Sequence, residues 1–299
     1  MEREYIFQAF ELKSTGTQLP FGLPATLFRK DIPKLWGIES PFDVYVVSPK
    51  ADGLRMMLGC MKGNRGFLID RAERIVQAEW FKAEADMLLD CEVDGKNIWI
   101  FDAVIVNGHN IRKYAYNMRL AAIQSYLTTQ IMKPIPHIPQ HCILPTRTYS
   151  TMGDFNMYVK PIWKLHEIRY ALDWQSKMGL PCDGMIFTPL ALPVVTYRSF
   201  DILKWKDVES HTVDFLYKNG KFYAADEKSN LVEFAPASES ATVALLNGLV
   251  YECKYTGQKW IPIRIRSDKT TPNAQFTIEQ TMKNILENLH LAEVDPSRK

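Results

Sequence analysis

The chain has 299 residues, 46% apolar and 23% charged, a balance that fills a globular core and, at ~150 residues per domain, suggests about two domains. Its 36 Lys and Arg nearly cancel its 34 Asp and Glu, so bulk basic charge is excluded as a means of holding nucleic acid; phosphate affinity has to come from local clusters. Cys60, Cys91, Cys142, Cys182 and Cys253 are odd in number, widely spaced and without a C-x-x-C pair, against a disulfide framework or zinc site and for a reducing compartment. Met1-Glu2-Arg3-Glu4 is charged where a secretory signal would be apolar, and the apolar segments are interrupted well short of a membrane span. The expectation is a soluble intracellular protein with no membrane partner.

Residues 1–40 hold Pro20, Pro24 and Pro33, which break any long element. Strand patterns follow at Val44-Val47, Met56-Leu58, Phe67-Ile69, Met87-Val93 and Ile98-Val106, punctuated by Gly and Asn-Gly. Residues 113–131 read as a helix, with Tyr116, Leu120, Ile123, Leu127 and Ile131 at helical spacing. After a proline-rich loop, Phe155-Trp163 reads as a strand and Leu165, Ile168 and Leu172 as one face of a second helix. Short strands are expected at 183–188, 201–206 and 211–217. Beyond Phe215, Lys221-Ala224, Leu231-Phe234, Gly248-Tyr255 and Trp260-Arg266 suit a small OB-type barrel. A final amphipathic helix carries Ile278, Met282, Ile285 and Leu289, with Thr277 and Gln280 spaced as a capping box. The fold class is α+β: a first domain (1–210) of antiparallel sheets with flanking helices, then an OB-fold domain (211–299).

Several charged motifs lie on or beside these apolar strands, where charge is costly unless it serves a ligand. Lys50-Ala51-Asp52-Gly53, with Arg55 behind it, follows Val44-Val47; a lysine there can act as a nucleophile toward phosphorus once its pKa is lowered. By itself the tetrad fits a surface turn, with Asp52 capping and Gly53 at positive φ. Asp90-Cys91-Glu92 closes one strand, Phe101-Asp102 lies inside the next, and Asp183-Gly184 follows the turn at Pro181. In Leu203-Lys204-Trp205-Lys206 the two lysines share a face. In Trp260-Arg266, Ile261, Ile263 and Ile265 face one way and Arg264 and Arg266 the other, just before Asp268-Lys269.

In order and spacing these segments resemble motifs I, III, IIIa, IV, V and VI of the covalent nucleotidyltransferase superfamily, the polynucleotide ligases and mRNA capping guanylyltransferases. The resemblance runs from Lys50 to Asn273. Three segments resemble the capping branch: Asp183-Gly184, where ligases usually carry Glu-Gly; Lys204-Trp205-Lys206 followed by His211-Thr212-Val213-Asp214-Phe215; and Trp260 through Arg264-Ile265-Arg266-Ser267-Asp268-Lys269 to Pro272-Asn273. In compactness the chain is similar to standalone viral and fungal guanylyltransferases. Cys91 departs from the family's usual glycine and reads as a small buried hydrophobe.

The resemblance implies that Lys50 attacks the α-phosphate of GTP, that pyrophosphate leaves, and that GMP passes from a lysyl-N-GMP intermediate to a 5′-diphosphate RNA end. An ordinary lysine titrates near ~10.4, so attack requires a lowered pKa; Lys204, Lys206 and a metal ion are the implied source of positive field. It further implies that Arg55 and Glu92 hold the ribose hydroxyls, Phe101 stacks on guanine, and Lys160 in Tyr158-Val159-Lys160-Pro161 contacts the base. Asp52 and Asp214 join the substrate-binding residues, Asp183 and Glu92 place Mg²⁺ or Mn²⁺, and Lys204 and Lys206 grip the α-phosphate. Arg266 and Lys269, oriented by Asp268, bind the β- and γ-phosphates, with the small domain closing for the first step and opening for the second. Implied partners are GTP, 5′-diphosphate RNA and, on separate chains, an RNA triphosphatase, a cap methyltransferase or the transcription machinery. The implied location is the nucleus, or the cytoplasm or virion for a viral enzyme.

His141-Cys142-Ile143-Leu144-Pro145-Thr146-Arg147 is set aside as a cysteine-phosphatase loop, since only four residues separate Cys142 from Arg147 and none is glycine. No Walker, dinucleotide or H-E-x-x-H motif is present. An ATP-dependent ligase and a catalytically silent nucleotide- or RNA-binding module remain as competing readings.

Overall fold

The computed structural model describes residues 1–13, 18–38, 40–130, 132–144, 148–238, 243–267 and 269–295. The chain divides into two compact units, Met1–Trp205 with Leu291–Lys299, and Lys206–His290. The fold class is α+β with mainly antiparallel sheets. No helix among the described residues is long and apolar enough to cross a membrane.

The first unit holds two sheets. One has five strands in the order Leu23–Thr26, Arg198–Lys206, Cys182–Pro189, Tyr45–Ala51 and Trp163–Lys164. The other has nine, running Ile75–Ala78, Gly66–Asp70, Leu54–Cys60, Met87–Asp94, Asn97–Val106, Phe155–Val159, Thr148–Met152 and Met132–Pro134, with His109–Asn110 on Asn97–Val106. Alternation sends neighbouring side chains to opposite faces: Met56, Leu58 and Cys60 pack beneath the helix Tyr116–Leu127, while Met57 packs with Tyr5, Ile6, Phe7 and Phe10 at the N-terminal helix Glu2–Ala9. Both faces of the sheet are thereby dry over its centre.

Element ends follow local chemistry. The helix expected over 113–131 covers only Tyr116–Leu127. Thr128 and Thr129 hydroxyls donate to the carbonyls of Ser125 and Tyr126, at 2.6 and 2.7 Å, and close it. Ile131 lies outside the described residues. Phe155–Trp163 splits into Phe155–Val159 and Trp163–Lys164, because Pro161 has no N–H for a ladder. In the helix Ile168–Met178 the buried face is Ile168, Ala171 and Trp174, whereas Leu172 is exposed. The helix ends at Gly179, in the left-handed conformation, φ 62°, which glycine adopts without strain.

The second unit is a five-stranded sheet in the order Leu231–Pro236, Lys221–Ala225, Thr212–Lys218, Val250–Tyr255 and Trp260–Ile265, the connectivity of an OB-like barrel. Val213, Phe215, Phe222, Tyr251, Trp260 and Ile278 form its core. Ile278 belongs to the helix Gln275–Glu287, whose N-cap is Ala274 with no side-chain cap. The expected capping box is not formed: the helix begins before Thr277, which lies inside its first turn. In Trp260–Ile265 it is Trp260 and Pro262 that are buried, while Ile263 and Ile265 face solvent.

Candidate active site

Lys50 is placed by a bulge. Ala51 pairs with Cys182 and Pro49 with Met185, so Asp183 and Gly184 together oppose the single residue Lys50. The irregularity also accommodates Pro49, which has no N–H to offer a central strand. Lys50 Nζ donates to Asp183 Oδ1 at 2.6 Å, with the two side chains 24% and 17% exposed, so the pair is accessible to a ligand. Gly53 is needed for close approach and not for a positive φ. A Cβ there would stand 2.6 Å from the Val93 carbonyl oxygen and 3.0 Å from Glu92 Cγ, and the Gly53 N–H donates to Glu92 Oε1 at 3.2 Å. Asp52 is exposed, its N–H donating to the Pro181 carbonyl at 2.8 Å.

The nine-stranded sheet supplies a second group. Arg55 pairs with Glu92, and Glu92 with Trp99. Arg55 Nε and Nη2 donate to the two carboxylate oxygens of Asp90 at 3.0 and 2.6 Å, and Nη1 donates to the Gly22 carbonyl at 2.5 Å. Burial works against the Arg55 charge, but the Asp90 carboxylate outweighs it and holds the guanidinium above its usual value. Two of its five N–H bonds are left over from these three contacts for a ribose hydroxyl.

Phe101 is itself a bulge residue: Asp90 pairs with Asp102 and Cys91 with Ile100, which leaves Phe101 extra. Lys160 Nζ lies 5.0 Å and the Arg55 guanidinium carbon 5.2 Å from its ring centroid. Lys160 is 6% exposed, and burial pushes its pKa down to about 8, opposed by the charge of Glu92. A lysine lying along the surface with its ammonium in water would not be this buried. Glu92 is raised by burial and pulled back by Lys160 and Lys50. Cys91 is fully buried, its Sγ donating to the Met56 carbonyl at 3.3 Å. Lys204 and Lys206 lie half-buried on Arg198–Lys206; Lys204 sits two strand spacings, about 10 Å, from the Lys50 strand, and Lys206 opens the second unit.

Within the second unit Asp214 is an anchor. Its buried carboxylate accepts two hydrogen bonds from Arg266 Nη1 at 3.0 and 2.9 Å and pairs with Lys269, while its N–H donates to Asn273 Oδ1 at 2.8 Å. Asp214, expected among the substrate-binding residues, holds the two cations in place. Glu252 does the same for Arg264 and also accepts from Thr212 Oγ1 at 2.6 Å. Asp268 lies outside the described residues, as do Pro145, Thr146 and Arg147 of the set-aside phosphatase-like segment.

Asp183 and Glu92 are the carboxylates that act on Lys50, one by direct contact and one by charge. Among the described residues no group of three or more His, Cys, Asp and Glu is placed to hold a metal. The hard oxygen donors of Asp183 and Glu92 are nonetheless of the kind that suits Mg²⁺ or Mn²⁺, ions that retain waters and take further oxygens from a substrate. Sequence reasoning did not assign Asp90 or Arg119, which anchor Arg55 and Asp102; both partnerships join residues across strands or elements and carry no local signal.

Residues 6–208 match the family described as mRNA capping enzyme, catalytic domain, and residues 196–294 match mRNA capping enzyme, C-terminal domain. The chain belongs to the mRNA capping enzyme family. It is 24% identical over 288 residues to an mRNA-capping enzyme of Danio rerio, covering 86% of this chain and 46% of the relative. It is 24% identical over 213 residues to one of Mus musculus, covering 65% and 33%. The chain thus spans less than half the length of these curated relatives. A mycobacterial DNA ligase D structure complexed with ATP and MES aligns over 83% of this chain and 95% of its own, with 13% identity and a TM-score of 0.45.

Proposed function

We propose that the chain is an RNA guanylyltransferase that carries GMP on Lys50. The observation that carries this reading is the Lys50–Asp183 pair, open to ligand, in the same unit as Arg55, Glu92, Phe101 and buried Lys160. Lys50 first gives one ammonium proton to solvent; its neutral Nζ then attacks the α-phosphorus of GTP, the Nζ–P bond forming as the bond to pyrophosphate breaks, and the second proton leaves the nitrogen with the departing pyrophosphate. A β-phosphate oxygen of a 5′-diphosphate RNA then attacks the same phosphorus and displaces the lysine, leaving a 5′–5′ triphosphate link.

Asp183 holds the Lys50 nitrogen at the strand bulge, which removes the cost of ordering a long side chain at the moment of attack. Phe101 and Lys160 take the base, and Glu92 with the spare N–H groups of Arg55 takes the ribose. Lys204 and Lys206 stabilise charge developing on the α-phosphate. Arg266 and Lys269, oriented by Asp214, serve pyrophosphate departure. Asp183 and Glu92 would hold Mg²⁺ or Mn²⁺, which supplies Lewis-acid polarisation of the phosphate oxygens when bound. Work on nascent RNA ends agrees with a nuclear site, or a cytoplasmic or virion site for a viral chain.

Incubation with α-labelled GTP or ATP and Mg²⁺, followed by denaturation, tests the reading. Acid-labile label from GTP alone, absent in Lys50→Ala, is the expected result. Label from ATP identifies a ligase, and no label from either identifies a silent binding module. Arg266→Ala should abolish adduct formation from GTP yet spare GMP transfer from a preformed adduct; equal loss in both half-reactions removes Arg266 from the pyrophosphate step.

A further inference from the structure

The proposed site is divided between two sheets. Lys50 and Asp183 stand on the five-stranded sheet, whereas Arg55, Glu92, Phe101 and Lys160 belong to the nine-stranded one or its immediate extension. In-line attack requires these halves to keep a fixed separation, since a misplacement of about 1 Å can cost 10²-fold in rate. Arg119, in the helix Tyr116–Leu127, is 1% exposed and touches structure on both sides. Its Nε and Nη2 donate to the two carboxylate oxygens of Asp102 at 2.7 and 2.9 Å. Asp102 is the neighbour of the Phe101 bulge, and its Oδ1 also accepts the Ala103 N–H at 2.8 Å, bracing the strand where it departs from regular pairing. The Nη1 of Arg119 donates to the carbonyls of Tyr114, at 2.5 Å, and Leu192, at 2.7 Å. Leu192 lies three residues beyond Cys182–Pro189, the strand that carries Asp183.

We propose that Arg119 is a positioning residue that, through Asp102 and the Leu192 carbonyl, sets the base-binding half of the site against the lysine-bearing half. The inference rests on the guanylyltransferase reading. A planar fork is required, because a lysine's compact ammonium cannot make the two parallel bonds to the carboxylate while also reaching two carbonyls at separate positions. Backbone bonds from Tyr116 N–H to the Leu190 carbonyl, 2.9 Å, and from Val194 N–H to the Arg112 carbonyl, 2.8 Å, hold the same junction. Loss of Arg119 therefore loosens the junction without severing it.

The test is single-turnover Lys50 labelling at saturating GTP, whose rate constant is independent of the fraction folded, run beside equilibrium GTP binding and thermal melting. Arg119→Leu leaves the half-buried Asp102 without its guanidinium partner and is expected to melt early. Asp102→Asn with Arg119→Leu removes both charges while keeping an acceptor for the Ala103 N–H, and should recover stability. Arg119→Lys keeps charge without the fork. The expected result is a rate constant at least tenfold below the parent in the double variant, with its melting restored and its GTP Kd within about threefold of the parent, and a rate between the two for Arg119→Lys. A rate that returns together with melting overturns the inference, leaving the pair a packing device only. So does failure of all three variants to fold. A parent that takes no label from GTP overturns the guanylyltransferase reading and this inference with it.

Discussion

Replacing Lys160 with Met should stabilise the first unit at neutral pH. The lysine is buried and its pKa is pushed from the ordinary 10.5 down to about 8 by desolvation. Each tenfold loss of proton affinity corresponds to about 1.36 kcal/mol, so at pH 7, where the folded chain must still carry the proton, the burial costs about 3 kcal/mol. Between pH 8 and 10.5 the unfolded chain binds this proton and the folded chain does not, so stability rises with pH across that window. Methionine has no proton to hold. The advantage of Lys160→Met should therefore shrink from about 3 kcal/mol at pH 7 to about 1.4 kcal/mol at about pH 9.5, and vanish above about pH 10.5. Urea unfolding followed by tryptophan fluorescence measures it, since every tryptophan except Trp260 lies in the first unit. The same variant should bind GTP more weakly, the trade expected where a costly buried charge serves a ligand. A variant no more stable than the parent at pH 7, or an advantage that does not change with pH, refutes the reasoning.

Phe101→Leu removes an aromatic face worth about 1–3 kcal/mol per stacked base, roughly fivefold to 150-fold in GTP Kd; a Kd equal to the parent's takes Phe101 out of base contact. Asp214→Ala removes the buried carboxylate that accepts from Arg266 and pairs with Lys269. It should cost the second unit about 1–3 kcal/mol, the range for lost hydrogen bonds to a charged group, in denaturant unfolding and slow label uptake from GTP, and unchanged unfolding would deny the anchoring role. Gly53→Ala drives a Cβ against the Val93 carbonyl and Glu92, so adduct formation should fall; full activity would mean that the strand after Lys50 can shift freely.

Much of the candidate site was legible through motif order. Lys50, Arg55, Glu92, Phe101, Asp183, Lys204 and Lys206 fall in segments whose order and spacing resemble the superfamily motifs. Each segment alone fits an ordinary turn, strand end or exposed strand face. Strand existence was equally legible, because alternation and turn residues are properties of neighbours along the chain. Element ends were less so. The threonines that close the helix at Leu127 and the proline that splits Phe155-Trp163 act through individual hydrogen bonds, which an apolar stripe does not encode. The capping box failed for the same reason: Thr277 and Gln280 have the correct spacing, but the helix had already begun.

By itself the sequence determined the α+β class and the barrel-like second half, since these depend on composition and periodicity, and its motif order marked the candidate residues for phosphoryl chemistry. Only the tertiary structure decided what each charge is for. Lys160 became a buried, pKa-shifted group, Asp214 a hold on Arg266 and Lys269, Asp90 the clamp on Arg55, and Arg119 a bridge between sheets. Each of these outcomes depends on burial and on partners distant in sequence: 35 residues separate Arg55 from Asp90, 52 separate Asp214 from Arg266 and 73 separate Arg119 from Leu192. The strength of a charge–charge contact is set by distance through space and by exclusion of water, and neither is written in the order of residues along the chain.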